Sequence, residues 1–192
     1  MTQAKLRFLD FEQYLSYEDD TEKLYELFNG ELVEVPPESG LNLGIAGFLF
    51  LKFAAIIDHL QVRGHGLELE VRGEPKNRYP DLTIIREEHV HLIDRRSTIR
   101  LTMPPPLLVV EVVSPGGIQR DRDYIAKRGQ YEDIDIGEYW IVDPLLKQIT
   151  VLSLQEGSYA ELGIFRDQQV VQSPTFPELA IAANTILSAG KS

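Results

Sequence analysis

A glutamate inside an unbroken apolar run is the first residue of this chain that demands a chemical explanation. Glu111 stands between Leu107-Leu108-Val109-Val110 and Val112-Val113. Such a run suits a central strand covered on both faces, where a lone carboxylate costs several kcal/mol unless it is partnered. The partner is either a neighbouring Arg or backbone donor, or the residue is a metal ligand or general base. Pro80-Asp81 opens a second apolar run, Leu82-Thr83-Ile84-Ile85, although Asp is unfavourable in strands. Alone it reads as a strand-start turn residue. Beside Glu111 on an adjacent strand, it makes a candidate divalent-cation site whose oxygen ligands point to Mg2+, Mn2+ or Ca2+. A third candidate lies in RDRDYIAKRGQYEDI (120–134), where Asp123, Lys127 and Tyr131 recur every four residues and share one helix face. Lys127 is there either as half of a surface pair with Asp123 or as an amine reaching the end of the Glu111 strand. Glu31 and Glu34 flank the second arm of an early hairpin and face opposite sides. Glu31 is a candidate further metal ligand, with solvent exposure as the alternative for both. His89 and His91 alternate in a charged loop and carry little metal signal.

These residues need a sheet to bring them together. Residues 10–20 read as a short helix capped by Asp10. YELFNGELVEV (25–35) reads as a hairpin turning at Asn29-Gly30 and closed by Pro36-Pro37. Residues 42–60 are apolar nearly all round, a buried helix with Asn42 as N-cap and Gly64 shortly past its end. Its Gly44 and Gly47 suggest close packing. Strands are expected at 66–72, 79–86 and 106–114, then the 120–134 helix, then strands at 138–144, 148–154, 158–165 and 169–173. The charged loop 87–105 is expected to be mobile and functional. The result is an α/β fold: a mixed central sheet flanked by helices, with β-hairpin additions at both ends. It is expected as one domain, 1–192, with a core at about 40–145, an N-terminal helix and hairpin at 10–37, and C-terminal strands at 146–185.

The 192 residues contain no Cys, which excludes disulfide scaffolds, zinc fingers and thiol nucleophiles. No phosphate-binding GxxxxGK, GxGxxG, GxSxG or HExxH occurs. The N-terminus lacks a secretory pattern, and the longest apolar stretch, LGIAGFLFL (43–51), is too short to span a bilayer. A soluble cytoplasmic protein with no membrane partner is expected. A formal net charge of −11 argues against nucleic acid, since phosphate is bound by Lys and Arg. The charge is uneven, however: residues 1–40 hold 3 basic and 10 acidic side chains, whereas 61–128 hold 12 basic and 10 acidic.

Pro80-Asp81, PPPLLVVEVVSP (104–115), RDYIAKRGQY (122–131) and EYWIVDP (138–144), in this order, resemble the Uma-type restriction endonuclease family of the PD-(D/E)XK nuclease superfamily. YELFNGELVEVPPES (25–39) is similar to that family's N-terminal signature, and the likeness covers roughly residues 10–185. It implies a restriction-endonuclease-like fold and cleavage of DNA phosphodiesters with Mg2+ or Mn2+, leaving 5′-phosphate and 3′-hydroxyl ends. Carried over, Asp81 and Glu111 are the motif carboxylates and catalytic metal ligands. The backbone carbonyl of Val113 would add a ligand. The superfamily's Lys falls two residues after the Glu, where this chain has Val113; the resemblance suggests that Lys127 supplies the amine instead. Asn42 lies near a family His and receives no role. Arg120, Arg122, Arg128 and Tyr131 become candidate substrate contacts, joined by Arg95, Arg96 and Arg100 against phosphates. DNA is the implied partner, and a homodimer the implied assembly. Two other readings stand beside this one: a non-catalytic binding protein on the nuclease fold, which Val113 favours, and a metal-dependent phosphodiesterase acting on a small substrate. If DNA is the substrate, the acidic N-terminal segment is expected to lie away from its path.

Overall fold

The computed structural model describes residues 7–17, 21, 23–114 and 122–191, with backbone only at 122 and 123. Helix α1 (Phe11–Leu15) starts at Asp10, whose side chain accepts a hydrogen bond from the Gln13 N–H. It is shorter than the expected 10–20. Strands β1 (Tyr25–Phe28) and β2 (Glu31–Glu34) form the hairpin, with Phe28 paired to Glu31. Asn29 and Gly30 take φ values of +50° and +78°, the left-handed pair that a two-residue turn between twisted strands requires. Phe8, Phe11 and Tyr14 pack on Leu27 beneath it.

Helix α2 spans Gly40–Ala54. Its cap is Ser39, whose hydroxyl accepts from the Asn42 N–H at 3.1 Å. Asn42 thus stands inside the first turn, not at the cap, which frees its side chain for another task. The helix stops at Ala54, and Gly64, expected past its end, belongs instead to β3 (Val62–Gly64). There follow β4 (Glu68–Glu70), β5 (Asn77–Arg78), β6 (Leu82–Ile84), β7 (Thr98–Ile99), β8 (Leu108–Val112), β9 (Glu138–Asp143), β10 (Gln148–Gln155) and β11 (Ser158–Phe165). The central sheet has the order β11-β10-β9-β8-β6-β3. The β8–β9 pair is parallel and its other neighbours are antiparallel. A smaller sheet, β5-β4-β7, stands beside it.

All five residues of β8 are buried, as a central strand covered on both faces must be. Leu108, Val110 and Val112 meet Ile45, Leu49 and Phe53 of α2. Val109 and Val113 face the opposite cluster with Tyr131, Tyr139 and Ile141. Alternation along the strand puts Glu111 on this second face. The expected 120–134 helix is a π-helical turn (Arg122–Lys127) running into an α-helix (Arg128–Asp133). Single π turns inside helices are frequent at functional sites.

Two expectations change. The strand expected at 169–173 is reduced to one bridge, Val170 to Ala182. Pro174 and Pro177, which offer no N–H, follow it. The chain then forms a helix, Ala183–Ser188, that carries Ile186 and Leu187 into the α2 cluster. Loop 87–105 is not loose: it contains a helical turn, His89–Leu92, and β7, and the Arg86 guanidinium donates to the Pro105 carbonyl at 2.7 Å.

The two glycines of α2 differ in their surroundings. A Cβ on Gly44 would lie 2.6 Å from the Gly190 Cα, whereas one on Gly47 would meet nothing within 4 Å. Gly44→Ala is therefore expected to lose about 1–3 kcal/mol through overpacking, and Gly47→Ala to gain up to about 1 kcal/mol of helix propensity. Thermal melts of the two variants check this, and a shift of the same sign in both would contradict it. Among the described residues no helix is long and apolar enough to cross a membrane.

Candidate active site at one end of the central sheet

The ladder registers bring the acidic residues together. Leu82 pairs with Val110 at the end of the β6–β8 ladder, which brings Asp81, the residue before β6, beside Glu111 at the end of β8. Gly64 pairs with Leu82, which brings His65, the residue after β3, close to Asp81. The three residues thus gather at one sheet end.

Asp81 is only 6% exposed. One of its oxygens, Oδ2, accepts from the Val112 N–H at 2.6 Å; among the described residues its other oxygen accepts no hydrogen bond. Glu111, 2% exposed, is held at both oxygens: Lys127 Nζ lies 2.6 Å from Oε2, and the Tyr131 hydroxyl donates to Oε1 at 2.6 Å. The Lys127 amine and Tyr131 hydroxyl reach Glu111 from successive helical turns. This resolves the choice posed by Lys127's spacing: it is buried against the strand carboxylate, and not a surface group.

Two residues that the sequence did not single out complete the cluster. Glu38, Asp81 and His65 each offer a ligand atom, and these atoms all lie within 4.8 Å of one another. Glu38 sits just before the Ser39 cap and accepts from Asn42 Nδ2 at 3.0 Å. The same nitrogen lies 3.0 Å from the Val112 carbonyl and 3.0 Å from Ser114 Oγ. Asn42 therefore ties the entrance of α2 to the end of β8. The sequence signals for these residues were faint: a Glu following two prolines, and a His flanked by Gly64 and Gly66.

Glu31 pairs with Phe28 beside the hairpin turn and is not part of this cluster. Glu34 forms an ion pair with Lys23 at 2.7 Å. The Val113 N–H donates to the Val142 carbonyl, which turns that residue toward β9. The Val112 carbonyl, on Asp81's side of the strand, accepts from Asn42 Nδ2 at 3.0 Å. His89 is buried, with Nδ1 accepting from the Arg86 N–H, and His91 lies outside the cluster.

The expected phosphate contacts are also revised. Arg96 pairs with buried Glu68 and donates to the Leu15 carbonyl; Arg100 pairs with Glu70 and Glu12. Arg128 donates to the Tyr159 carbonyl at 2.9 Å, and Tyr131 is committed to Glu111. The basic surplus counted over 61–128 is thus largely neutralised within the protein, partly by N-terminal acids: Glu26 also pairs with Arg78 at 3.0 Å. Arg120 and the side chains of Arg122 and Asp123 lie outside the described residues.

Burial, then the nearby Glu111 charge, push the Asp81 carboxyl well above the usual carboxylate range; Lys127 and the Val112 N–H oppose this. Burial lowers the His65 imidazole from its usual value, which keeps it neutral and its lone pair available. The folded state binds a proton at Asp81 where the unfolded chain has released it. Stability from this group therefore falls as pH rises from the ordinary carboxylate range through the raised one. In chelator, Asp81→Asn is expected to melt with a shallower loss of stability over that window than the parent. Identical pH dependences in thermal denaturation would contradict the assignment.

The donor set fits a divalent cation. Ligands opposite one another across such an ion stand about 4 Å apart, little less than the spread of the cluster, and the enclosed His65 Nδ1 is a buried polar atom in want of a partner.

The family described as "Uma2: Putative restriction endonuclease" matches residues 11–184. The chain belongs to the Uma2 family. Among curated proteins none matches it. Among solved structures it is similar to a protein from Anabaena variabilis described as a putative nuclease belonging to DUF820. The two chains superpose with a TM-score of 0.66 at 15% identity, over 95% of this chain and 99% of the other. That likeness establishes the fold, a mixed sheet flanked by helices of nuclease type, and the family supports nuclease chemistry. The EYWIVDP segment of this Uma2 chain is structural. Asp143 caps the following turn by accepting from the Leu145 and Leu146 N–H groups. Glu138, buried in β9, anchors Trp140, Ser173 and Thr175.

Proposed function

We propose that this Uma2 chain is a metal-dependent endonuclease that hydrolyses DNA phosphodiester bonds with Mg2+ or Mn2+, acting in the cytoplasm as one domain over residues 1–192, and as a homodimer. The observation that carries the reading is Asp81 joined to the end of β8 through the Val112 N–H, next to Glu111, with the Lys127 amine on Glu111. Asp81 and Glu111 are the carboxylates that would hold the cation. When bound, the cation would lower the pKa of a water and neutralise charge on the scissile phosphate. Lys127 takes the place of the amine missing at Val113: it would orient the attacking water and stabilise the charge that develops on phosphorus oxygens. Tyr131 fixes the second Glu111 oxygen, so the carboxylate keeps one orientation. In-line hydrolysis would form a new P–O bond from water and break the bond to the 3′ oxygen, leaving a 5′-phosphate and a 3′-hydroxyl.

With Arg96, Arg100 and Arg128 engaged internally, binding to DNA should be weak and sensitive to salt. Supercoiled plasmid is expected to be nicked with Mg2+ or Mn2+ and left intact in chelator. DNA affinity should fall by about tenfold or more between about 50 and 200 mM salt. The assay runs beside bis(p-nitrophenyl) phosphate. DNA binding without metal-dependent cleavage would replace this reading with the non-catalytic one; turnover of the small diester alone would replace it with a small-substrate phosphodiesterase.

A further inference from the structure

The donor set at the sheet end is not purely oxygen, and this bears on which metal it takes. Glu38, Asp81 and His65 present ligand atoms that all lie within 4.8 Å of one another. Each is positioned separately. Glu38 is held by the Asn42 amide at 3.0 Å. Asp81, nine-tenths buried, is pinned at Oδ2 by the Val112 N–H, leaving its second oxygen unbonded among the described residues. His65 follows Gly64 out of β3, and its Nδ1 is enclosed without a hydrogen-bond partner. An enclosed imidazole nitrogen without a partner, on a residue that offers a ligand atom to this cluster, is costly. A cation held there would satisfy it. Glu111 lies outside this group, with its two oxygens on Lys127 and Tyr131.

We propose that Glu38, His65 and Asp81 form a mixed nitrogen–oxygen cation site that selects a first-row transition ion over Mg2+. This rests on reading Asp81 as a metal-holding carboxylate. Mg2+ demands near-octahedral oxygen coordination and gives up its water reluctantly. Imidazole favours transition ions, and Zn2+ stands above Mn2+ in the general affinity order. The expected order for this site is therefore Zn2+, then Mn2+, then Mg2+. Glu111, the other carboxylate of the proposed site, would be an oxygen ligand common to all three ions and so would not set the preference among them.

The test is metal binding by the full chain without DNA, so that it stands apart from cleavage. Mn2+, Zn2+ and Mg2+ are titrated separately by calorimetry, with Mn2+ also followed by electron paramagnetic resonance. The parent is expected to bind Mn2+ at least about tenfold more tightly than Mg2+. His65→Ala should weaken Mn2+ by about tenfold or more while leaving Mg2+ within about threefold, whereas Glu111→Gln should weaken both ions alike. Diamagnetic Zn2+ should shift a His65 side-chain 15N resonance in the parent; this readout decides the matter should His65→Ala fail to fold. Equal affinities for Mn2+ and Mg2+, an unshifted His65 resonance, or Mn2+ binding lost in Glu111→Gln but kept in His65→Ala would overturn the proposal. A protein that binds metal as expected but leaves plasmid uncut would refute the nuclease reading and leave this site standing.

Discussion

Asp81→Asn will remove metal-dependent cleavage of DNA while leaving the metal-free protein at least as stable as its parent. The two effects separate because Asp81 has two jobs. Oδ2 accepts the Val112 N–H at 2.6 Å, and the asparagine carbonyl can accept the same hydrogen bond. Asp81 also offers a ligand atom within 4.8 Å of those of Glu38 and His65, and a neutral amide is a far weaker cation ligand than a carboxylate. Burial and the Glu111 charge already disfavour an ionised Asp81, so deleting its charge relieves repulsion in the absence of metal. Loss of a charge-stabilising group at the reacting phosphate costs about 10²–10³-fold in rate, and loss of a metal ligand should cost at least as much. Plasmid nicking and thermal melts in chelator measure the two effects. Undiminished nicking by Asp81→Asn would sink the catalytic assignment. A large fall in melting temperature would show Asp81 to be structural.

Lys127→Met has the opposite signature: it should lose both cleavage and stability. Lys127 is 5% exposed and Glu111 is 2% exposed, with 2.6 Å between Nζ and Oε2. Removing one partner of a buried ion pair typically costs about 3–5 kcal/mol, because the remaining charge stays in the interior. Glu111 would escape part of that cost by taking up a proton. The double variant Glu111→Gln/Lys127→Met removes both charges and should recover most of the stability without recovering cleavage. That recovery would show the stability loss of Lys127→Met to come from the uncompensated Glu111 charge. Wild-type nicking by Lys127→Met would end the proposal that Lys127 replaces the amine absent at Val113.

The arginines show how composition misleads about partners. Counted along the chain, residues 61–128 look mildly basic and the N-terminal segment strongly acidic, as though the two were separate regions. In the fold they meet: Glu12 pairs with Arg100, Glu26 with Arg78, and the Arg96 guanidinium, itself paired with Glu68, lies over the Tyr14 ring. Glu38 from the same acidic segment enters the metal cluster. The expectation that this segment lies wholly away from the site is therefore corrected for Glu38.

Much of the architecture could be read locally, because it rests on patterns a few residues long. Asn29-Gly30 dictates its turn through left-handed backbone geometry, and the unbroken Leu107–Val113 run dictates a strand buried on both sides. Glu111 announced itself because a carboxylate in such a run cannot stand alone, and the four-residue step from Lys127 to Tyr131 predicted a shared face. What the chain could not reveal by itself depends on distant segments meeting. Two ladders that end at Leu82 brought Asp81 beside Glu111 and His65 close to Asp81, and neither ladder leaves a mark in the intervening sequence. The cap at Ser39 turned Asn42 inward, toward Glu38 and the end of β8. Local patterns thus determined which residues were too costly to be idle; only the packed sheet decided that Glu111 meets Lys127 and Tyr131, and that Glu38 and His65 gather beside Asp81.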